Sequence, residues 1–298
     1  MASAVKSLRP GEQAQPSSEP VTVADALRRA TAALHSGSES PRIDAELLLM
    51  QVAGLTRAQV ISQAHSALSH RQRQRFRELL QRRRHGEPIA YLTGTQEFWS
   101  MMLRVSPATL IPRPETELLV EQALARIPQD AAWTVGDIGT GCGAIALALA
   151  KERPRCRMIA TDCSKQALAV ARQNAKEHGL TNIELRLGRW LEPFAGTAAH
   201  VLVSNPPYVP CGDPHLSTGD VRFEPTQALV AGVDGLVAIR QIARYAKCHL
   251  RAQGWLLLEH AYNQAQAVGL ILRQHGYRDI RVAHDVAGQD RVSTCHRQ

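Results

Sequence analysis

The sequence predicts an α/β protein in which a mostly parallel, seven-stranded sheet follows a small helical bundle and a β-hairpin linker. From residue 133 onward, strand-like and helix-like segments alternate, as they do in parallel sheets with crossover helices. Before residue 86, apolar residues recur only at helical spacing. We therefore expect a disordered leader at 1–20, a helical domain at 21–86, a linker with the hairpin at 87–112 and an α/β domain at 113–298.

The composition limits the class of protein. The 298 residues are 44% hydrophobic and 21% charged, as in ordinary globular proteins, and no apolar run approaches the roughly 20 residues that cross a bilayer. Residues 1–20 lack the apolar core of a signal peptide. The six cysteines form no Cys-x-x-Cys pair, so we expect neither a metal site nor disulfides, and we expect a cytoplasmic location. The net charge of +8 favours acidic partners.

Four short helices are predicted in the bundle. Apolar residues at helical spacing begin at Val23, and Gly37 and Gly54 end the first two segments. Thr56 and Ser69 are candidate N-caps of the third and fourth helices. The fourth helix carries seven arginines: Arg71, Arg73, Arg75, Arg77, Arg82, Arg83 and Arg84. We interpret them as a solvated basic face, and the alternative is a contact for RNA or an acidic protein.

A hairpin and a proline-rich stretch connect the bundle to the sheet. Glu97-Phe98-Trp99 and Leu103-Arg104-Val105 flank a short turn. In Ile111–Glu117, prolines keep the chain extended as far as Pro114, which suits the first turn of a helix. The helix dipole favours the two glutamates of that turn. The alternative is that one of these carboxylates faces a ligand pocket.

The α/β domain is predicted to contain strands near 134–138, 157–162, 183–187, 201–204, 255–259, 280–283 and 292–295. The fourth strand, Val201–Ser204, is apolar enough to be buried on both faces. It must end at Asn205, because the two prolines that follow donate no backbone N–H. We therefore expect the Asn205 amide at the carboxyl edge of the sheet, where open α/β folds bind their ligands.

A glycine-rich loop precedes the first helix of this domain. Glycines at 139, 141 and 143 allow the backbone to approach a ligand closely and direct helix N–H groups at it. Asp162, about 20 residues further on at the end of the next strand, is placed to bind both ribose hydroxyls. Together they predict a nucleoside cofactor. The loop also satisfies the loose dinucleotide pattern, but the Tyr-x-x-x-Lys pair of a hydride-transfer enzyme is absent.

The segment Asn205-Pro206-Pro207-Tyr208 suits a planar amino group. It offers an amide oxygen, backbone carbonyls whose neighbouring prolines lack N–H groups, and a flat ring. The alternative is that the prolines only end the strand and that Tyr208 is a rim residue. Together with the glycine loop, the segment favours methyl transfer to an amino or amide nitrogen over hydride transfer.

Four motifs together resemble the bacterial release factor glutamine methyltransferases, the PrmC/HemK family. They are Glu87–Gly94, Leu110–Glu117, Asp137–Leu147 and Ser204–Tyr208, with Arg222–Pro225 and Asp234–Leu236 matching downstream. The resemblance covers roughly Val21 to Val292. It implies a Rossmann-like class I methyltransferase domain, a helical domain that recognises the substrate, and S-adenosylmethionine as donor, with S-adenosylhomocysteine as product. It also implies N5-methylation of the glutamine in the Gly-Gly-Gln motif of class 1 peptide chain release factors.

The resemblance assigns site residues by position. The cofactor residues are Gly139, Thr140, Gly141, Cys142, Gly143, Asp162, Trp190 and Asn205; the glutamine-binding residues are Asn205, Pro206, Pro207 and Tyr208; and Asn205, Pro206 and Tyr208 are the catalytic candidates. The family often has an acidic residue before the tryptophan, where this chain has Arg189. Adenine recognition is thus left to stacking on Trp190 and to backbone groups. Core packing is the alternative role for Trp190.

A mechanism without a general base follows. Asn205 Oδ1 and the Pro206 carbonyl accept both amide hydrogens and direct the nitrogen lone pair at the methyl group, while Tyr208 packs on the amide. The expected partner is a release factor, bound by a monomer with neither membrane nor obligatory nucleic acid. One alternative is methylation of the exocyclic amine of adenine in DNA or RNA, which would need base flipping. Another is a non-enzymatic RNA or ribosome adaptor.

Overall fold

The computed structural model describes residues 21–298, so the predicted leader at 1–20 lies outside the described residues. The chain divides into two compact units between His85 and Gly86. The first contains four helices: α1 (Val23–Leu34), α2 (Pro41–Ala53), α3 (Arg57–Ser62) and α4 (His70–Arg84). These are the four helices that the sequence predicts. None of the helices in the described part of the chain is long and apolar enough to cross a membrane.

Local capping explains where these helices begin and end. Thr56 and Ser69 both form capping boxes, in which the hydroxyl accepts from the backbone N–H three residues on and the glutamine there returns a bond to the cap. Gly54 ends α2 with a left-handed φ of 68°. The predicted caps are therefore confirmed.

One of the seven arginines of α4 lies inside the bundle rather than on its solvated face. Arg83 is buried and pairs with Asp44 of α2 at 2.6 Å, and the Ser38 hydroxyl donates to the same carboxylate at 2.7 Å. Arg71 and Arg75, by contrast, are exposed. The interpretation as a solvated basic face is thus wrong for Arg83, because a paired charge can be buried when its partner is also hydrogen-bonded.

The second unit contains the hairpin and the sheet. Its strands are β1 (Thr95–Phe98), β2 (Met101–Arg104), β3 (Thr134–Ile138), β4 (Arg157–Asp162), β5 (Ile183–Leu187), β6 (Ala199–Ser204), β7 (Leu250–Glu259), β8 (Tyr277–His284) and β9 (Asp290–Arg297). Its helices are α5 (Ile89–Thr93), α6 (Glu117–Leu124), α7 (Ala144–Glu152), α8 (Lys165–Glu177), α9 (Thr226–Leu229), α10 (Val237–His249) and α11 (Ala265–Gln274). The short helices α5 and α9 are additions to the predicted elements.

The seven-stranded sheet has the order β5-β4-β3-β6-β7-β9-β8. Strands β5, β4, β3, β6 and β7 run parallel, and β9 pairs antiparallel with both β7 and β8. The predicted, mostly parallel fold is therefore confirmed. From β3 the chain first adds β4 and β5 on one side, and it then crosses to add β6 and β7 on the other side. The carboxyl ends of β3 and β6 therefore flank a switch point, where such folds form a ligand crevice.

Both faces of β6 are buried, as its apolar sequence predicts. Val201 and Val203 pack into a core cluster with residues of α6 and α7, whereas Leu202 belongs to a second cluster with residues of α10 and α11. Each such side chain contributes roughly 1.5–3 kcal/mol by leaving water. This packing fixes the end of β6 and hence the position of Asn205.

The hairpin turn is held by one of the two glutamates of the proline-rich segment. Trp99 and Ser100 have left-handed φ values of 53° and 51°, and Trp99 N donates to Glu117 Oε1 at 2.7 Å. Neither Glu115 nor Glu117 is among the residues that line the cavity described below. The alternative, in which one of these two glutamates faces the ligand pocket, is therefore wrong.

Candidate active site

A cavity of about 590 Å³ lies at the carboxyl edge of the sheet, within the second unit. Its volume is typical of a small-molecule site. Eight of the predicted site residues line it: Gly139, Thr140, Gly141, Cys142, Asp162, Trp190, Asn205 and Pro207. Gly143, Pro206 and Tyr208 are not among the lining residues.

The glycine loop presents bare backbone to the cavity. Gly139 and Gly141 have φ values of 77° and 57°, and a Cβ at either position would meet no described atom within 4 Å. The loop is anchored from behind, because the N–H groups of Gly139 and Thr140 donate to the Thr161 carbonyl at 2.9 and 2.8 Å. A ligand can therefore approach the backbone here without displacing a side chain.

Gly143 has a different role from the other two glycines. A Cβ there would lie 2.9 Å from Leu147 Cδ1 and 3.3 Å from the Ala171 Cβ. The residue thus allows the loop to pack closely on α7 and α8. Its predicted cofactor contact stays a prediction, and the observed contacts are with the protein.

The Asp162 carboxylate links the end of β4 to the loop. Gly141 N donates to Oδ2 at 2.9 Å, and Ser164 N donates to Oδ1 at 2.8 Å. Each carboxylate oxygen retains a further lone pair, and the residue lines the cavity. The arrangement suits two hydroxyl donors held at fixed positions, as on a ribose.

A second acid, Asp137, lies beneath the loop. Its Oδ2 accepts from the Thr140 hydroxyl at 2.6 Å and from Ala146 N at 3.2 Å, while Oδ1 has no partner among residues 21–298. Burial raises the pKa of Asp137 to about 7, against the lowering effect of those two hydrogen bonds. Asp137 therefore fastens the loop to the start of α7.

The end of the cavity at Trp190 carries a positive charge. Arg189 and Trp190 both line the cavity, and the Arg189 guanidinium carbon lies 5.9 Å from the centre of the Trp190 ring. Trp190 has a left-handed φ of 50°, and the backbone N–H of Arg189 donates to Glu192 Oε2 at 3.2 Å. The aromatic face available here is consistent with stacking on a nucleobase.

Asn205 lies directly after β6 and lines the cavity. Its Nδ2 donates to Thr116 Oγ1 at 3.1 Å, and its Oδ1 is buried with no partner in the described chain. A buried acceptor without a donor costs about 1–3 kcal/mol. The site therefore holds an acceptor that a bound N–H group would satisfy.

Tyr208 is directed at the sheet rather than the cavity. Its hydroxyl donates to Glu259 Oε1 at 3.4 Å, and its carbonyl accepts from Gln264 Nε2 at 3.0 Å. Burial raises the pKa of the Tyr208 hydroxyl. The predicted packing of its ring on a bound amide stays a prediction.

Glu259, the last residue of β7, is a buried acid behind the cavity that sequence reasoning missed; it does not line the cavity itself. It is 1% exposed, and burial raises its pKa to about 7, although the Thr116 hydroxyl and Arg291 lower it. The signal was present, because Glu259 is an acid at the carboxyl end of a buried strand, as Asp162 is. Thr116 gave no such signal.

An ion pair between Arg113 and Glu224 was also missed. Glu224 is buried, pairs with Arg113 and accepts from Ile111 N at 3.0 Å. Burial raises the pKa of Glu224, and Arg113 opposes that shift. The pair joins the proline-rich segment to the stretch after β6, and both segments contribute to the cavity wall.

Comparison with known proteins identifies close relatives. Residues 25–94 match the PrmC N-terminal domain, and residues 114–221 match the methyltransferase small domain. The release factor glutamine methyltransferase of Salmonella typhimurium is 49% identical over 260 residues, which are 87% of this chain and 93% of that protein. The protein of the same name from Escherichia coli is 48% identical over 267 residues, 90% of this chain and 96% of that protein.

A solved structure is also similar. The protein-(glutamine-N5) methyltransferase (release factor-specific) from Alicyclobacillus acidocaldarius is 29% identical and superposes with a TM-score of 0.40. The match covers 66% of this chain and 99% of that chain.

Proposed function

The chain belongs to the release factor glutamine methyltransferase family, and we propose that its cavity is where a methyl group passes from S-adenosylmethionine to the side-chain nitrogen, N5, of the glutamine in the Gly-Gly-Gln motif of class 1 release factors. The protein is a methyltransferase that uses S-adenosylmethionine. One observation carries the proposal: Asn205 shares a cavity with the glycine loop and Asp162, and its Oδ1 is a buried acceptor without a donor.

The donor end of the cavity fits the cofactor. S-adenosylmethionine supplies an electrophilic methyl group on a sulfonium centre. Gly139 and Gly141 give it bare backbone, Asp162 accepts hydrogen bonds from the ribose hydroxyls, and Trp190 stacks on the adenine. Arg189 cannot accept a hydrogen bond from the adenine amino group, so backbone groups and stacking recognise the base.

The acceptor end must activate a poor nucleophile, because the lone pair of an amide nitrogen is delocalised into its carbonyl. Asn205 Oδ1 and the Pro206 carbonyl accept the two amide hydrogens, which raises the electron density on nitrogen and directs its lone pair at the methyl carbon. Prearranged dipoles of this kind lower a barrier by several kcal/mol. Both hydrogens are held before the reaction begins.

The amide proton leaves after the methyl group arrives. No histidine, lysine or glutamate of residues 21–298 lines the cavity, and its carboxylate, Asp162, accepts from Gly141 N and Ser164 N at the donor end, so the acceptor end offers no strong base for the ground-state amide. None is needed, because methylation at nitrogen makes the attached hydrogen strongly acidic. The hydrogen bond to its acceptor holds that proton until water accepts it.

We further propose that the helical domain at 21–86 recognises the release factor and that a monomer acts in the cytoplasm without obligatory nucleic acid. Six free thiols suit a reducing compartment.

Mass spectrometry of the release factor tests the function. Incubation with the protein and S-adenosylmethionine should add the mass of one CH2 group to the peptide that contains the Gly-Gly-Gln glutamine. A release factor with that glutamine replaced by asparagine is the matched control and should stay unmodified. Methylation of DNA in place of the release factor would overturn the assignment.

A further inference from the structure

The adenosyl end of the cofactor has partners in the cavity, whereas its methionyl end, which carries an amino group and a carboxylate, has no partner in the account above. We propose that Arg113 binds this carboxylate and that Glu224 is the positioning residue that holds the Arg113 guanidinium in the cavity wall. The contact belongs to the cofactor site of the proposed function and therefore rests on that function.

Few charged side chains line the cavity. Among residues 21–298, these are Arg113, Asp162 and Arg189. Asp162 would repel a carboxylate, and Arg189 lies beside Trp190, at the end of the cavity that suits the adenine. Arg113 is therefore the cation that remains for the anionic tail of the cofactor. A guanidinium is well suited to this task, because it pairs with a carboxylate through two parallel N–H groups.

The glycine loop has little left to offer a carboxylate. Loops of this kind bind anions through backbone N–H groups that have no partner in the protein. Here, four of the five N–H groups at 139–143 already donate to protein oxygens at 2.8 to 2.9 Å, namely those of Gly139, Thr140, Gly141 and Gly143. The carboxylate of the cofactor therefore needs a side-chain partner.

Hydrogen bonds connect Arg113 to the residue at which the methyl group reacts. Thr116 N donates to the Arg113 carbonyl at 3.1 Å, and Thr116 Oγ1 accepts from Asn205 Nδ2 at 3.1 Å. All three residues line the cavity. The sulfonium methyl group must reach the nitrogen that Asn205 holds, and only two methylene groups and the α-carbon separate the sulfur from the carboxylate. The methionyl tail thus starts beside Asn205, close to the wall that contains Arg113.

Glu224 holds one edge of the Arg113 guanidinium and leaves the rest of it available. Its Oε1 accepts from Arg113 Nη2, and its Oε2 accepts from Ile111 N at 3.0 Å. The Glu224 side chain is fully buried, whereas the Arg113 side chain remains 35% exposed. The guanidinium has no other hydrogen-bond partner in the described part of the chain, so its Nε and Nη1 groups can donate to a ligand.

The ion pair also keeps the net charge of this wall low. S-adenosylmethionine carries positive charges on its sulfur and its amino group, and an arginine without a partner would repel both. Both oxygens of Glu224 accept hydrogen bonds, as in an ionised carboxylate. Glu224 therefore offsets the charge of Arg113, and the guanidinium can donate to the cofactor carboxylate without adding net positive charge beside the sulfonium.

Two ligands that differ only in the carboxylate test the contact. Decarboxylated S-adenosylmethionine retains the adenosyl group, the sulfonium and the amino group, and it lacks the carboxylate. Calorimetry should give the dissociation constants of both ligands for the wild type and for Arg113→Ala, Arg113→Lys and Glu224→Gln. Arg189→Ala is the matched control, because it removes the same charge from the adenine end of the same cavity. The release factor is not needed for this measurement.

We expect the wild type to bind S-adenosylmethionine about 10- to 100-fold more tightly than the decarboxylated ligand, because hydrogen bonds between charged groups are strong. In Arg113→Ala, the two affinities should agree within about 3-fold, since only S-adenosylmethionine loses a partner. Arg113→Lys should retain part of the preference, because an ammonium lacks the planar fork. Glu224→Gln should reduce the preference by about 3- to 10-fold, since the guanidinium is no longer held in place. Arg189→Ala should retain the wild-type preference.

Three outcomes would overturn the proposal. Equal affinity of the wild type for the two ligands would exclude a carboxylate contact, and this measurement decides the matter even if Arg113→Ala does not fold. An equal loss of affinity for both ligands in Arg113→Ala would show that Arg113 only supports the cavity wall. Unchanged cofactor affinity together with a raised KM for the release factor would assign Arg113 to the substrate instead.

Failure of the proposed function would give a different result. A wild type that prefers S-adenosylmethionine to the decarboxylated ligand, yet does not methylate the release factor, would refute the function and support the carboxylate contact. A wild type that methylates the release factor and binds both ligands equally would retain the function and lose only the contact with Arg113.

Discussion

Two acids are buried behind the cavity, Asp137 behind its donor end and Glu259 behind its acceptor end, and they have similar environments that arise in different ways. Burial raises the pKa of each to about 7, and each has one oxygen without a partner among residues 21–298. Asp137 is bonded by Thr140 and Ala146, which follow it within nine positions. Glu259 is contacted by side chains from distant elements. The donor end is thus specified locally, and the acceptor end is assembled by tertiary packing.

The difference predicts how the two ends respond to mutation. Groups at the donor end hold the cofactor in the ground state, so their loss should weaken binding. Groups at the acceptor end align the amide for attack, so their loss should slow turnover with little change in affinity. The four predictions below test this division, beginning with the largest effect.

Asn205→Ala should give the largest loss. Removal of the Oδ1 acceptor should lower the single-turnover rate by about 100- to 1000-fold, as for other prearranged polar groups at a reacting centre. The dissociation constant of S-adenosylmethionine, measured by calorimetry, should change by no more than about 3-fold, since the variant retains the donor end. Asn205→Asp is the control that keeps an acceptor oxygen. Wild-type turnover in Asn205→Ala would refute the acceptor role.

Asp162→Ala should show the opposite pattern. Loss of a carboxylate that accepts from the ribose hydroxyls should weaken S-adenosylmethionine binding by about 10- to 100-fold, because hydrogen bonds to charged groups contribute about 1.5–3 kcal/mol. The rate at saturating cofactor should fall much less. The cofactor affinity of Asp162→Asn should lie between those of the wild type and Asp162→Ala, since the amide oxygen can still accept a hydrogen bond. An unchanged dissociation constant in Asp162→Ala would exclude Asp162 from the ribose site.

The two buried acids should make stability depend on pH in the same direction. A carboxyl with a raised pKa keeps its proton in the folded state after the unfolded chain has lost it, so the free energy of unfolding should fall as the pH rises from about 4 to 7. Glu259→Gln and Asp137→Asn should each reduce the fall between pH 5 and pH 8 by roughly 1–3 kcal/mol.

Urea denaturation at the two pH values measures this effect, with Asp130→Asn as the exposed control. Asp137→Asn should also weaken S-adenosylmethionine binding, since Asp137 holds the glycine loop, whereas Glu259→Gln should not. Equal pH dependence in the wild type and both variants would show that these acids do not control the stability.

The smallest effect is expected at the adenine end. Trp190→Ala should weaken S-adenosylmethionine binding by about 5- to 20-fold, in line with about 1–2 kcal/mol for a base stacked on an aromatic ring. Trp190→Phe should recover most of that loss, and Arg189→Ala should change the affinity by less than about 3-fold, because its exposed charge is screened. A larger loss in Arg189→Ala than in Trp190→Ala would contradict stacking as the main contact.

The sequence was sufficient for the fold and for part of the site. Alternating periodicities predict the strands and their mostly parallel arrangement, and the prolines after Ser204 predict where Asn205 lies. Asp162 follows from the rule for acids at strand ends. The short helices α5 and α9 could not be predicted, since segments of four or five residues carry almost no periodic signal.

The contacts between distant segments could not be read from the sequence. The hydrogen bond between Asn205 and Thr116 joins residues 89 positions apart, and the ion pair between Arg113 and Glu224 joins residues 111 positions apart. Local propensity carries no information about such pairs, because each partner is ordinary in its own segment. The missed part of the site is therefore mainly its acceptor end.

The position of β9 in the sheet has a consequence for the newly made chain. This strand follows β8 in sequence yet lies between β7 and β8, and it places Val292 opposite Glu259 and Arg291 beside it. On the ribosome, the glycine loop and Asp162 emerge together and can fold early. The surroundings of Glu259 cannot form until β9 has emerged, so we expect a nascent chain to complete the donor end of its cavity before the acceptor end.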